Sequence, residues 1–341
     1  MRIGLIGLGR IGAFHADTFA GLDHVDELVV TDPVAAAVEA VTARTGKARA
    51  VADPAAVLAD GVDGVVIAAA TNAHAELIRA AVDAGIPTFC EKPVAGTIAE
   101  SLAVEAAVAG SDVPVQIGYP RRFDPAFVAA RAAVRSGALG RITTVRSTTL
   151  DPAPPPAAYL AVSGGIFRDC SVHDFDAVRW VTGQEVVEVH AVGSVDPDAA
   201  PEMYADNGDF SSVSALLTLS DGTIGVVSDT RTNGAGYDVR LEVHGVRDAV
   251  AAGLDEGLPL RSTQPGISWP GGPAHGFFMD RLAQAFRVEL GVFTQVAAGE
   301  VDNPCTVADA MGTAWTAEAA TLSAAQRRPV TIAEVRAAAG A

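Results

Sequence analysis

Short apolar runs alternating with amphipathic stretches set the rhythm of the first third of the chain. Residues 2–6, 27–31, 65–69, 87–90 and 113–117 are brief, mostly apolar runs, and 48–51 is a weaker one. Such runs, too short for helices and bounded by turn residues, read as buried strands. Between them, 13–21, 34–45, 71–84 and 98–110 read as helical. Strict strand–helix alternation predicts a parallel sheet with helices on its faces.

Past residue 118 the rhythm changes. A helix over 123–136 ends at Gly137, a C-cap. In 142–150 apolar residues alternate with Thr and Arg, as in a half-buried strand. The prolines of 152–156 preclude regular structure and predict a loop over the site. Residues 186–195, 211–219, 223–229 and 239–243 then read as consecutive strands, with Asp221-Gly222 marking a hairpin. The acidic stretch 196–209, with two prolines, is expected to be a surface loop. Residues 277–298 and 307–326 are the last two helices; Thr306 caps the second and Arg327-Arg328-Pro329 stops it. The change of rhythm divides the chain into domains 1–118 and 119–341, and the last helices can pack back on the first domain.

Length and composition narrow the class. A chain of 341 residues, 49% apolar and only 6% aromatic, suits an Ala/Val-rich α/β protein of about two domains. A net charge of −17 with no basic stripe argues against nucleic acid and anionic membrane as partners. Three widely spaced cysteines without a CxxC predict neither a disulfide framework nor a zinc site, and favour a reducing cytoplasm. No apolar run approaches the ~18 residues of a membrane span, and Met1 leads directly into a strand rather than a signal peptide.

The first strand runs into Gly7-Leu8-Gly9-Arg10-Ile11-Gly12 and then into a helix. That context turns a weak GxGxxG signal into a dinucleotide fingerprint. The first glycine permits the tight turn, the second admits the pyrophosphate, and the third lets helix and strand pack closely. Free N–H groups and the positive dipole at the helix start favour phosphate. Asp32 ends the second strand, where a carboxylate binds the ribose diol. A carboxylate repels a 2′-phosphate, and no arginine follows it, so NAD is expected over NADP. This makes the first domain a Rossmann-type, doubly wound parallel sheet.

Two further strand ends face the ligand crevice of such a sheet. Thr71 and Asn72 follow the strand at 65–69; Asn72 reads both as an N-cap and as a ligand contact, while His74 reads as structural. Glu91-Lys92-Pro93 ends the strand at 87–90. An ammonium there can stabilise an alkoxide or pass a proton, and a salt-bridged Glu–Lys pair is the competing reading.

Residues 164–180 read GGIFRDCSVHDFDAVRW. Asp169, His173, Asp176 and Trp180 fall on one stripe of a predicted helix, and Phe167, Cys170, Phe175, Val178 and Val181 form an apolar stripe that predicts packing. A carboxylate one turn before an imidazole orients it and raises its basicity, which suits a base for an alcohol. The competing reading is an exposed i, i+4 ion pair worth a few tenths of a kcal/mol.

With these motifs the chain resembles the Gfo/Idh/MocA oxidoreductases over nearly its whole length. The likeness rests on Gly7 to Gly12, on Phe89-Cys90-Glu91-Lys92-Pro93, on Gly118-Tyr119-Pro120-Arg121-Arg122-Phe123-Asp124, and on Gly164-Gly165-Ile166-Phe167 leading to Asp169, His173 and Asp176. The resemblance implies Lys92, Asp169 and His173 as the catalytic group, with Asp176 near the substrate hydroxyls. It implies a second, α+β domain on an open, mostly antiparallel sheet whose face joins a homo-oligomer, a tetramer or a dimer. Within the family the chain looks most like inositol 2-dehydrogenases. It departs from them in Pro120 where Met is usual, in Asp151-Pro152 where Asn-Pro is usual, and in Ala235 where Tyr is usual.

The expected reaction is NAD-dependent oxidation of a secondary alcohol on a polyol or cyclic sugar-like ring. His173 removes the hydroxyl proton, Asp169 orients the imidazole, and Lys92 stabilises the alkoxide. Cofactor contacts are expected from Gly7, Gly9, Arg10, Ile11, Gly12, Asp32, Thr71, Asn72, Glu91 and Lys92. Arg121, Asp151, Asp176 and Tyr237 are candidates for reading substrate hydroxyls. An Asp–His pair without a third ligand, and no HExxH, disfavour a catalytic metal. Two rivals stay open: oxidation of an aldose at its anomeric carbon, and a non-catalytic NAD-sensing regulator.

Overall fold

A computed structural model describes residues 1–198, 201–254 and 275–341. The chain divides into two compact units, Met1–Pro120 with Phe286–Met311, and Arg121–Ala285 with Gly312–Ala341.

In the first unit, strands β1 (Arg2–Ile6), β2 (Glu27–Thr31), β3 (Ala48–Ala50), β4 (Gly64–Ile67), β5 (Thr88–Glu91) and β6 (Val115–Gly118) alternate with helices α1 (Arg10–Ala20), α2 (Ala35–Thr45), α3 (Pro54–Leu58), α4 (Thr71–Asp83) and α5 (Ile98–Ala109). All strands are parallel, in the order β3-β2-β1-β4-β5-β6. Leaving β1 on both sides creates the switch point at which such sheets bind dinucleotides. Burial on both faces explains the continuous apolar runs. Ile3, Leu5, Leu28, Val30 and Phe89 pack with Phe19, Leu290 and Phe293 on one face, while Ile6, Val29, Val57 and Val65 pack on the other. The free edge of β6 is covered by backbone and amide groups: Ile117 N–H donates to the Cys305 carbonyl at 2.9 Å, and Asn303 Nδ2 to the Val115 carbonyl at 2.7 Å.

Two local expectations are corrected here. Helix α3 was not foreseen, although its start is written in Asp53-Pro54: Asp53 accepts from Ala56 N–H at 2.8 Å, with Pro at the first helical position. Asn72 is not the cap of α4, because the helix already begins at Thr71 with Ala70 in the cap position and no side-chain cap. That leaves the Asn72 amide exposed on the first turn.

In the second unit a 3₁₀ turn (Pro120–Phe123) reaches it from the first, and α6 (Pro125–Arg135), β7 (Ile142–Leu150), α7 (Ala157–Leu160), α8 (Ile166–Asp169), α9 (Val172–Thr182), β8 (Val186–Ser194) and α10 (Pro201–Ala205) follow. Strands β9 (Ser212–Leu219), β10 (Ile224–Thr230), β11 (Asp238–Gly245) and β12 (Ala249–Ala252) come next. Helix α11 (Phe278–Arg281) follows; most of α12 (Ala283–Ala297) and the start of α13 (Val307–Gln326) belong to the first unit, and the rest of α13, strand β13 (Val330–Thr331) and helix α14 (Ile332–Ala339) complete the second. The seven strands form one open sheet, β12-β11-β7-β10-β9-β8-β13, antiparallel except for β7 beside β10. Gly222, at φ +85°, turns the β9–β10 hairpin. One sheet face is buried, carrying Val213, Ala215, Leu217, Val227 and Val189. The opposite face is open. Its central row, in register across five strands, is His190, Leu216, Val226, Arg146 and Glu242; Leu216, Val192 and Ile224 are 55%, 57% and 52% exposed there.

Three expectations in this unit need correction. Stretch 196–209 is more than a solvated loop, since α10 buries Tyr204 completely and Asp209 is buried as well. The helix expected over 277–298 is broken at Leu282 into α11 and α12. The helix expected to start at Phe123 starts at Pro125, with the Asp124 carboxylate capping Ala126 and Phe127 N–H.

Candidate active site

The glycine loop of the first unit uses each glycine differently. Gly7, at φ +94°, would bring a Cβ to 2.5 Å from the Ala69 nitrogen, and a Cβ on Gly12 would collide with the Gly7 carbonyl. Those two close the turn and seat α1 against the sheet. A Cβ on Gly9 would meet nothing within 4 Å. Gly9 is also the cap of α1 and makes no side-chain cap, so the start of this helix keeps the open space that a pyrophosphate would need. The Asp32 carboxylate accepts from Leu8 N–H at 2.6 Å and from Val34 N–H at 2.7 Å. It therefore pins the loop from the position immediately after β2. Arg10 is exposed and Ile11 half-buried beside it. The chemistry of these residues, open space beside a helix start and a carboxylate after the second strand, fits NAD.

Glu91 and Lys92 end β5, both half-buried, and the Lys92–Pro93 peptide is cis. Two histidines that carried no site assignment from sequence hold this end. His15, fully buried on α1, places Nε2 at 2.6 Å from Glu91 Oε1. His74, on α4, sets Nδ1 at 2.7 Å from the Pro93 carbonyl and Nε2 at 3.1 Å from the Ala69 carbonyl. The structural reading of His74 agrees with this bridge between two strand-end loops. His15 recurs one turn after Gly12, but nothing in its spacing names Glu91 as its partner.

In the second unit, the helix expected through 164–180 is two helices. Cys170 N–H and Ser171 N–H both return to the Ile166 carbonyl, at 2.9 Å each, so α8 ends at Asp169 and α9 begins afresh at Val172. The single polar stripe is therefore corrected. Its apolar counterpart is buried as expected: Phe167, Cys170, Phe175, Val178 and Val181 all belong to the core. Trp180, the last residue of the polar stripe, carries the Arg131 guanidinium over its ring at 4.4 Å.

Asp169 ends α8 with its side chain 17% exposed. Tyr159 Oη donates to its Oδ1 at 2.8 Å, and Arg231 Nη2 to its Oδ2 at 3.2 Å. His173, half-buried, lies on the first turn of α9. Neither Arg231, Tyr159 nor Asp209 was picked out from sequence.

Beneath them is a buried polar layer. Asp174 is fully buried and accepts from Arg121 Nη1 at 2.8 Å, Ser147 Oγ at 2.5 Å and Thr149 Oγ1 at 2.6 Å. Burial pulls the Arg121 guanidinium towards neutrality, but Asp174 more than offsets this and holds its proton above the ordinary value. Asp229 accepts from Thr149 N–H at 2.9 Å, and burial, followed by the Asp174 charge, pushes its carboxyl well above the usual range. Asp176 is 1% exposed and is gripped by Arg122 through Nε at 2.9 Å and Nη2 at 2.6 Å. Tyr237 is also buried, and burial raises its phenol despite the opposing pull of Arg121. Of the four residues expected to read hydroxyls, only Asp151 keeps appreciable surface; its Oδ2 lies 3.9 Å from Cys170 Sγ. Burial and then the Asp151 charge push that thiol well above its usual range.

A parallel sheet with a glycine loop and a carboxylate after its second strand, followed in the chain by an open mixed sheet with Asp169 and His173 on the helices α8 and α9, is the architecture of a dinucleotide-dependent oxidoreductase. The chain belongs to the Gfo/Idh/MocA family: residues 1–119 match its oxidoreductase domain with the NAD-binding Rossmann fold, and 127–250 match its C-terminal domain. It is 39% identical over 306 residues to the myo-inositol dehydrogenase Hyg17 of Streptomyces leeuwenhoekii, covering 89% of this chain and 90% of that one. It is 36% identical to the inositol 2-dehydrogenase of Rhizobium meliloti (strain 1021), covering 98% and 99%. The fold also matches scyllo-inositol dehydrogenase from Lactobacillus casei, solved with NAD(H) and scyllo-inositol, at TM-score 0.87 and 28% identity over 98% and 99% of the two chains. The chain is an NAD-dependent oxidoreductase. No helix among its described residues is long and apolar enough to cross a membrane.

Proposed function

We propose that the chain oxidises a secondary alcohol of a cyclic polyol, an inositol, to the ketone. Bound NAD supplies the hydride acceptor. His173 takes the hydroxyl proton as the carbon–hydrogen bond breaks, Asp169 orients the imidazole and balances its charge, and Lys92 stabilises the developing alkoxide. Gly9, Gly12, Asp32, Thr71, Asn72 and Glu91 serve the cofactor. Asp151 reads a substrate hydroxyl as an acceptor. Arg121, Asp176 and Tyr237 act from within the buried layer, fixing the floor on which the ring rests.

The observation that carries this reading is the state of Asp169. A carboxylate at a helix end, held on both oxygens yet still partly open, stands four residues before a half-buried histidine on the first turn of the next helix. That arrangement suits a base pair better than a core ion pair. The inositol assignment rests on the relatives' names and on their coverage of almost the whole chain. Self-association through the open sheet face belongs to the same reading, because Leu216, Val192 and Ile224 form an exposed apolar strip.

The test is NADH absorbance with NAD and a panel of inositols and aldoses. Oxidation of an inositol with Lys92→Ala losing turnover far more than NAD affinity supports the proposal. Oxidation of aldoses alone redirects the substrate, and tight NAD binding with no turnover on any member identifies a regulator. Light scattering of Leu216→Glu tests the sheet face; an unchanged mass excludes it.

A further inference from the structure

Arg231 is among the largest fully buried side chains of the protein, and its partners are both carboxylates. Nη1 donates to Asp209 Oδ2 at 2.9 Å and Nη2 to Asp169 Oδ2 at 3.2 Å. Asp209 in turn accepts from Ile166 N–H at 2.8 Å through Oδ1, at the start of the helix that Asp169 ends. A buried arginine is costly and, for stability alone, is often replaceable by apolar residues. Here one guanidinium spans a neutralising carboxylate at its buried end and the partly open Asp169 at the other. The side chains of Arg231, Asp209 and Asp169 are 1%, 4% and 17% exposed.

We infer that Arg231 is a positioning residue that holds Asp169 ionised and aimed, and that Asp209 sets how strongly it does so. The inference rests on the proposed role of Asp169. A fixed positive charge beside Asp169 favours the carboxylate and, through the proposed pairing of Asp169 with His173, weakens the proton affinity of the imidazole. Removing Arg231 therefore raises the pH at which the base becomes available. Neutralising Asp209 exposes more of the Arg231 charge and lowers it. The other titratable groups facing this cluster include Tyr159 on α7, Tyr204 on α10, and Cys170 in the turn between α8 and α9; Asp151, Asp229 and Asp174 reach it through the field at Cys170, and Asp196 through that at Tyr204. All of them are common to the wild type and the variants.

The test measures two quantities in the full chain with NAD: the acid limb of kcat/KM for myo-inositol, and the His173 imidazole titration by NMR, assigned by its loss in His173→Gln. Arg231→Gln is expected to move both up by ~1 pH unit, and Asp209→Asn to move both down. Arg231→Lys, which keeps the charge but not the fork, restores the limb part of the way. NAD affinity stays within about twofold throughout. Opposite shifts are a signature that general loosening of the fold does not produce. If Arg231→Gln does not fold, Arg231→Lys and Asp209→Asn still decide. Superimposable titrations, or shifts of the same sign, overturn the inference. The NMR arm needs no substrate, so failure of the polyol reading is seen separately: Asp169→Asn with full turnover removes the role of Asp169, whereas its inactivity beside unmoved titrations removes that of Arg231 alone.

Discussion

Replacing Asp176 by Asn should cost stability before it costs recognition of substrate. The Arg122 and Asp176 side chains are 4% and 1% exposed, and two parallel N–H···O bonds of 2.9 and 2.6 Å join them. Asn preserves the shape but removes the charge, leaving a guanidinium that water cannot reach. Breaking a buried pair in this way costs about 3–5 kcal/mol. For a unit of roughly 150–250 residues each kcal/mol moves the melting midpoint by ~2–4 °C, so a fall of about 6–20 °C is expected. Thermal unfolding measures it, and a cycle with Arg122→Gln isolates the pair from other contacts of the arginine. Kinetics well below the midpoint give the second reading: KM for the polyol should change by less than about threefold. A midpoint within ~1 °C of wild type together with a KM raised about tenfold or more would refute the reasoning and make Asp176 a direct hydroxyl reader.

Gly9→Ala and Gly12→Ala should separate binding from folding. Gly9 has open space at its Cβ and Gly12 has the Gly7 carbonyl, so calorimetry should show weakened NAD binding with an unchanged melt for the first and a lowered melt for the second; the reverse pattern would contradict the phosphate site. Asp32→Ala removes the acceptor of two backbone N–H groups and should weaken NAD about tenfold or more without conferring NADP use, since the glycine loop loses its anchor. A switch to NADP with equal affinity would show that the carboxylate only selects. Asp229 gives a pH prediction. Burial and Asp174 raise its carboxyl in the folded chain, so its stabilising share is complete below the unfolded value of ~3.9 and is lost as pH rises through the raised folded value. Asp229→Asn lacks that loss, and its melting midpoint relative to wild type should climb as pH rises above about 4; a constant difference would exclude a raised carboxyl.

The first unit was legible almost residue by residue because one rule governs it. Strands buried on both faces must be apolar throughout, and the helices between them must return the chain to the same end of the sheet. Six of six strands are therefore readable, within one or two residues at their ends. What escaped were short elements whose signal is a cap rather than a period: Asp53-Pro54 before α3, and Thr331 with Glu334 in α14, where Thr331 Oγ1 accepts from Glu334 N–H at 3.1 Å. The strands of the second unit were legible where one face is buried and alternation is clean, as in β9. Strands β12 and β13 were missed, being too short for alternation to show.

The sequence offered candidate reactive groups but not the partners that hold them in the structure, and the cause is physical. Periodicity reports where apolar surface goes, because burial repeats with the turn or the pleat. A buried charge has no period; it sits wherever a counter-charge arrives from another part of the chain. Asp169 and Arg231 are 62 residues apart, Asp209 and Arg231 are 22 apart, and Arg122 and Asp176 are 54 apart. In each case one partner looks solvated in its own neighbourhood: Asp209 closes an acidic stretch, and Asp176 follows His173 on what looks like an open polar stripe. Helical spacing predicted Asp169 and His173 on one stripe, and the break at Cys170–Ser171 removes that ground. Both residues nevertheless keep their accessibility, because the break lets α9 bury Asp174 and Asp176 while Asp169 stays at the end of α8, fixed from behind by Arg231 rather than by the helix itself.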